Sequence, residues 1–329
     1  MPLKMHFLNV GRGDCTIIEF DSGRIAIVDI DTLRTFDSDT ERELVEQRAG
    51  EYDFTLMKSV QPHAAWGMLK DYLKEKESEI SDPFAYYDNN IGRQKRPFRV
   101  MISHPDMDHM TGLHRLATDY GLENFWHTGR HDFNLGETTD AEWAASPYSK
   151  TDWDTYRALR DKDGRNPTSL HQYQGDTGQY WTDDSVEVWA PTPDLEESAV
   201  AKNEPNILSM ILKITWAGRS IVLGGDATAD DTWATIYPDL DMSAISLLKA
   251  SHHGRNTGYY WPAVKEMSPW LTITSVGEKA YDATEKYRRY SDHTVSLRDC
   301  GDILITIRDD GVLVYPSKIE EHWKDKKPY

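Results

Sequence analysis

The chain has 329 residues, 39% hydrophobic and 28% charged, with 55 Asp and Glu against 37 Lys and Arg for a net charge of -18. That length supports a large buried core, and the acidic balance argues against coating nucleic acid or an anionic membrane through net charge alone. No stretch approaches the ~20 apolar residues of a membrane helix, the opening MPLKMHFLNV is too short and polar for a signal peptide, and Cys15 and Cys300 make neither a disulfide framework nor a four-cysteine zinc site. The expectation is a soluble cytoplasmic protein with no membrane partner.

Leu3–Asn9, Cys15–Phe20 and Arg24–Ile30 read as strands joined by tight turns at 11–14 and 21–23, a meander expected at the edge of a sheet. Residues 36–54 are polar, a loop with some helix. Met57, Val60, Ala64, Met68 and Tyr72 fall at helical spacing and predict an amphipathic helix over 56–77. A long loop is expected over 78–97, a strand at Phe98–Ser103 and a helix at about 112–120. The stretch 125–183, rich in Trp and Tyr, predicts one helix at 152–162 and otherwise loops. Strand patterns resume at Ser185–Ala190, Leu208–Trp216, Ser220–Leu223, Ile245–Ala250, Leu271–Thr274, Ile303–Ile307 and Val312–Tyr315. The chain reads as one domain over 1–329, with 36–98 and 125–183 as insertions or lids.

Polar residues follow several of these strands. His104-Pro105-Asp106-Met107-Asp108-His109 sets four potential ligands directly after an apolar strand. Imidazole with carboxylate suits a divalent cation such as zinc or manganese; a solvated acidic turn would account for the aspartates but not for two histidines as well. Asp29 and Asp31 close another strand, Gly224-Gly225-Asp226 a third, and Lys249-Ala250-Ser251-His252-His253-Gly254 a fourth. Parallel or mixed sheets gather such residues at one edge, which makes a two-metal hydrolase constellation.

Phe7-Leu8-Asn9-Val10-Gly11-Arg12-Gly13-Asp14 resembles the Phe-Leu-Asp-Val-Gly-Gln-Gly-Asp opening of the hydrolase domain of the DNA-uptake protein ComEC, and Ile27-Val28-Asp29 its next strand. Ser103–His109 is similar to the signature loop of the metallo-β-lactamase superfamily. Asn206–Leu212 with Leu223–Ala227 resembles its Asn-x-x-Ser strand and Gly-Asp-Ala turn, Lys249–Gly254 its His-His-Gly-Ser motif, and Tyr290–His293 a Tyr-Gly-His-Pro segment. The motifs run in family order from residue 7 to about 315.

The resemblance implies an α/β fold, an αββα sandwich with the site at one edge of two packed sheets. It implies two divalent ions, zinc or manganese with magnesium as a further choice. His104 and Asp106 would bind one, Asp108 and His109 the second, with Asp226 bridging. One of His252 and His253 would complete the second site, His252 preferred as nearer the strand end and the other left to donate to a phosphate. Asp29, Asp14, Asn206 and Ser209 would support these ligands. Asp108, His253, His293 and Lys249 are the candidates for orienting the attacking water, stabilising the transition state or protonating the leaving oxygen. Asp106 stands where the superfamily commonly has His, Asn9 for an acidic residue and Arg12 for Gln, so metal identity and stoichiometry stay open.

A site of this kind suits phosphodiester cleavage, and the resemblance favours a nuclease acting on nucleic acid or a nucleotide, with a protein partner that supplies targeting. Two alternatives stand beside it: an ester, lactone or amide hydrolase on the same scaffold, and a degenerate, non-catalytic partner-binding subunit. Arg93, Lys95, Arg96, Arg99, Arg255 and Lys286–Arg289 are candidates for a phosphate track or ordinary solubilising charge. The aromatics of 125–183 suit base stacking or, with more precedent, a core.

Overall fold

The structure, a computed structural model, describes residues 1–51, 62–276 and 282–318. Among the described residues fourteen strands form two sheets: β1 Leu3–Phe7, β2 Thr16–Glu19, β3 Ile25–Val28, β4 Arg99–Met101, β5 Asn124–His127, β6 Thr168–His171, β7 Val186–Ala190, β8 Ile211–Trp216, β9 Arg219–Leu223, β10 Ile245–Lys249, β11 Leu271–Thr274, β12 His293–Ser296, β13 Ile303–Arg308 and β14 Gly311–Pro316. The first sheet has the order β14-β13-β1-β2-β3-β4-β5-β6 and the second β12-β11-β10-β9-β8-β7. The run β3-β4-β5-β6 is parallel, as is β9-β10-β11-β12.

Alternation along the strands builds four layers. Ile18, Ala26, Met101 and Trp126 meet Leu212, Leu223, Leu247 and Ile273 between the sheets. Their neighbours Ile17, Ile27, Val100 and Phe125 face outward onto Phe84, Leu113, Trp153 and Tyr156. On the other side Val222 and Leu248 face Trp233, Ala263, Val264 and Tyr287. Both faces of the central strands are therefore buried, which is why these strands read as continuous apolar runs rather than alternating ones. The expected αββα sandwich is the architecture.

Some local expectations change. The β1-β2-β3 meander lies inside the eight-stranded sheet, because β13 pairs with β1 and β4 with β3. The expected loop at 78–97 contains a helix at Pro83–Tyr87 that continues through a wider turn to Gly92. Asp82 caps it by accepting the Phe84 and Ala85 N–H groups, with Pro83 in the first turn. Residues 125–183 contribute β5 and β6 to the first sheet besides the expected helix, here Lys150–Arg160. Trp126, Trp143, Trp153 and Tyr156 are core residues and unavailable for stacking on bases. The helix expected over 56–77 is described from Pro62 to Ser78; Met57, Val60 and most of the tail Lys318–Tyr329 lie outside the described residues. Among the described residues no helix is long and apolar enough to cross a membrane.

Candidate metal centre

Three segments leaving strands of the parallel runs, together with the β1–β2 turn, build the site at one edge of the sandwich. After β4, Asp106 caps a short turn at Met107–His109 by accepting the Met107 N–H at 2.7 Å. The turn preceding β2 packs against this loop so closely that a Cβ on Gly13 would lie 1.9 Å from the Asp108 carbonyl oxygen, so only glycine fits. After β9, Gly225 takes φ +49 and the Asp226 N–H donates to Ser209 Oγ at 3.1 Å. After β10, His252, His253 and Gly254 all have positive φ, 50, 58 and 94. Side chains with a Cβ disfavour that region at a cost on the order of 1–3 kcal/mol each, and here it throws both imidazoles toward Asp226.

Three of the four histidines hydrogen-bond through Nδ1 on the outer side: His104 with Ser103 Oγ at 3.0 Å, His109 with Asp29 Oδ2 at 3.0 Å and His252 with Thr257 Oγ1 at 2.7 Å. His253 Nδ1 lies 3.5 Å from Asp14 Oδ2 without a hydrogen bond. The opposite nitrogens face inward. Asp226 Oδ2 lies 3.3 Å from His109 Nε2, 3.2 Å from His253 Nε2 and 3.8 Å from His252 Nε2. Asp108 lies 3.6 Å from His253 Nε2 and 3.9 Å from His109 Nε2. Donor atoms within 4.8 Å of one another define three overlapping groups: His104, His109 and Asp226; Asp108, His109 and His253; Asp14, Asp226 and His253.

Burial and charge pull these groups in opposite directions. Burial works against protonation of His109 and His253, but the surrounding carboxylates outweigh it and raise both well above the usual imidazole range. Burial likewise opposes ionisation of Asp226, and the adjacent histidines overcome it, holding the carboxylate well below its ordinary value. His104, buried beside His109, falls to about 3. Burial and then the charge of Asp108 push Asp106 up to about 7.

The donor set fits a divalent cation. His104 Nε2, His109 Nε2 and Asp226 Oδ1 are buried with no hydrogen-bond partner, and buried polar atoms are ordinarily satisfied. Imidazoles whose outer nitrogen is fixed by an oxygen are the pattern of metal-ligating histidine.

The structure therefore gathers His104, Asp108, His109, Asp226, His252 and His253. His253 enters two of the three donor groups, whereas His252, the preferred ligand in the sequence reading, enters none and keeps 25% side-chain exposure. Asp106 is outside these groups as well. Asp29 lies 3.0 Å from His109 Nδ1 and accepts the Ser103 N–H at 2.7 Å. Lys249 is buried and donates to both oxygens of Asp14, at 2.8 and 3.0 Å, and to Ser275 Oγ at 2.9 Å. It steadies Asp14 behind His253 and presents no ammonium to a substrate. Ser209 shapes the Asp226 turn, and Asn206 contributes its carbonyl, which accepts the Ser209 N–H at 3.1 Å. His293 opens β12 two positions before the row that aligns Lys249, Ile273 and Val295, toward the opposite edge of the sheet, against Trp270; the structure does not bring it to the site. The sequence reading gave no role to Thr257 or Ser275. Serine and threonine are too common at turns for their spacing to reveal such contacts.

No family profile and no curated protein matches the chain. Solved structures do. Igni18, a novel metallo hydrolase from the hyperthermophilic archaeon Ignicoccus hospitalis, is similar at 9% identity, covering 96% of this chain and 100% of its own, with a TM-score of 0.46. A variant of the β-hydroxylase CmlA is similar at 10% identity over 93% of this chain and 54% of its own, with a TM-score of 0.44.

Proposed function

We propose that this chain is a metal-dependent hydrolase that cleaves a phosphodiester, with nucleic acid or a nucleotide as substrate. The observation that carries the hydrolase reading is the convergence of inward imidazole nitrogens on Asp226 and Asp108, with three buried donor atoms left unpaired. The resemblance of the opening turn and the His104–His109 loop to ComEC-like domains supplies the substrate class.

His104, His109 and Asp226 would hold one divalent ion, and Asp108, His109 or His253 with Asp226 a second. A bound ion supplies Lewis-acid charge and brings the pKa of an attacking water toward ~7. Asp108 keeps 22% side-chain exposure, against 4% for Asp226 and 3% for Asp29, so it is open to an approaching water. His109 and His253 overcome its burial and keep it ionised, ready to take that water's proton. Oxygen from water then bonds to phosphorus as the bond to the leaving oxygen breaks. His252 Nε2, on the open side and oriented through Thr257, would hydrogen-bond the leaving oxygen, which takes its proton from solvent, since burial favours the neutral imidazole. The left-handed turn at 252–253 fixes where that nitrogen points.

The test is turnover of protein loaded with manganese, zinc or magnesium on bis(p-nitrophenyl) phosphate, single- and double-stranded DNA, cyclic nucleotides and p-nitrophenyl acetate. Phosphodiester cleavage that falls at least ~10²-fold in Asp108→Ala is expected, the size typical of a lost proton-transfer group. Cleavage of the acetate ester alone, or of none of these substrates, overturns the phosphodiesterase reading.

A further inference from the structure

We propose that Arg12 binds a non-reacting anionic oxygen of the substrate beside the metal centre, an inference that rests on the phosphodiesterase reading for its substrate class. Arg12 sits in the turn at 11–14. Gly11, at φ +95, would place a Cβ 2.4 Å from the Thr35 carbonyl oxygen, and Gly13 abuts the Asp108 carbonyl. The backbone at Arg12 is therefore wedged between the chain leading into the helix Ser38–Glu51 and the metal loop. Its position relative to Asp108 is fixed.

The guanidinium makes neutral contacts only. Nη1 donates to the Tyr148 hydroxyl at 3.2 Å and Nη2 to the Phe36 carbonyl at 2.9 Å, while Nε is buried without a partner. Among the described residues Arg12 forms no ion pair within 4.0 Å, although the charges of Asp31 and Asp108 act on it. Other basic candidates near the site are already matched: Lys249 to Asp14, and Arg255 to Asp37 at 2.9 Å and Asp282 at 3.3 Å. A guanidinium has five N–H donors in a planar fork suited to phosphate oxygens, and this one keeps donors in reserve on a partly exposed side chain. Tyr148 closes the same corner. Its hydroxyl, pushed up to about 12 by burial and by the charge of Asp108, stays neutral and accepts the Arg12 Nη1–H as a tether. An anionic oxygen meeting Arg12 would find charge and directed N–H groups that no carboxylate has taken.

The alternative is that Arg12 merely ties Phe36 and Tyr148 together. Two readouts separate these roles: the equilibrium affinity of metal-loaded protein for inorganic phosphate, measured by calorimetry, and the KM and kcat for bis(p-nitrophenyl) phosphate. Arg12→Gln is expected to weaken phosphate binding and raise KM by about 10- to 100-fold, in keeping with a lost charge-assisted contact, with metal content unchanged. Arg12→Lys should recover part of that loss. Tyr148→Phe removes one tether and should change phosphate affinity by less than about 3-fold. Wild-type phosphate affinity in Arg12→Gln or, if that variant fails to fold, in Arg12→Lys together with Arg12→Met would overturn the proposal, as would wild-type protein that binds no phosphate. If phosphate binding depends on Arg12 while no phosphodiester turns over, the anion site stands and the phosphodiesterase reading falls.

Discussion

The Nδ1 partners of His104 and His109 aim those two imidazoles into the candidate metal centre. An imidazole free to rotate loses entropy on binding an ion, whereas one pinned through its outer nitrogen presents a fixed tautomer and direction. Asp29 does this twice over, holding His109 Nδ1 and the Ser103 N–H whose neighbour is His104. Asp29→Ala should lower divalent-metal affinity by about 10- to 100-fold, read by competition against a chromophoric chelator. Unchanged affinity would show that the ring is held by packing alone. Asp29 was visible in the sequence because a strand of Ile-Ala-Ile-Val runs straight into it. The relative placement of His252 and His253 was not, since proximity to the strand end says nothing about a turn with three successive positive-φ residues.

At the scale of elements, the first sheet and the strand that begins the second are joined by one buried carboxylate. Asp184, just before β7, accepts from Arg99 of β4 at 2.6 Å, from Arg24 at 2.7 Å and from Ser22 Oγ at 2.7 Å. Arg99 is 1% exposed, and burial lowers its guanidinium to about 10. It therefore belongs to the interior and to no phosphate track. Removing one partner of such a pair strands the other in a medium that solvates it poorly. Asp184→Ala should cost about 3–5 kcal/mol in denaturant unfolding, and a loss below about 1 kcal/mol would mean that water reaches Arg99. The strands with apolar runs were legible; β5, β6 and β12 were not. Each is four residues long, and Asn-Phe-Trp-His, Thr-Ser-Leu-His and His-Thr-Val-Ser carry too few apolar positions to signal period two. Their place comes from pairing with neighbours distant in sequence, which no local pattern contains.

For the whole molecule, burial of titratable groups sets the response to acid. Unfolded, His127 takes a proton near 6.5; folded, burial and then the neighbouring His171 hold it neutral down to about 3. The unfolded chain binds more protons between those values, so stability falls as pH drops through that window. Glu19 acts in the same direction further down: its hydrogen bond to His6, set against partial burial, lowers it from 4.5 to about 2, and the stability present above 4.5 is lost between the two. With chelator present, wild type should lose stability relative to His127→Phe by up to about 1.4 kcal/mol per pH unit between 6.5 and 4.5. A pH-independent difference between the two would contradict a buried neutral His127. The order of motifs along the chain made the sandwich and the polar edge legible, whereas the net charge of -18 gave no sign that Lys249 and Arg255 are matched by carboxylates in the fold while Arg12, among the described residues, is not.

The most direct test of the account is metal stoichiometry, measured by elemental analysis of the purified chain and by titration of zinc and manganese into chelator-stripped protein. Two divalent ions per chain are expected, with binding lost in Asp226→Ala while the circular dichroism of the folded sandwich is retained. A folded wild-type chain that takes up no divalent ion, or an Asp226→Ala variant that binds as tightly as wild type, would contradict it.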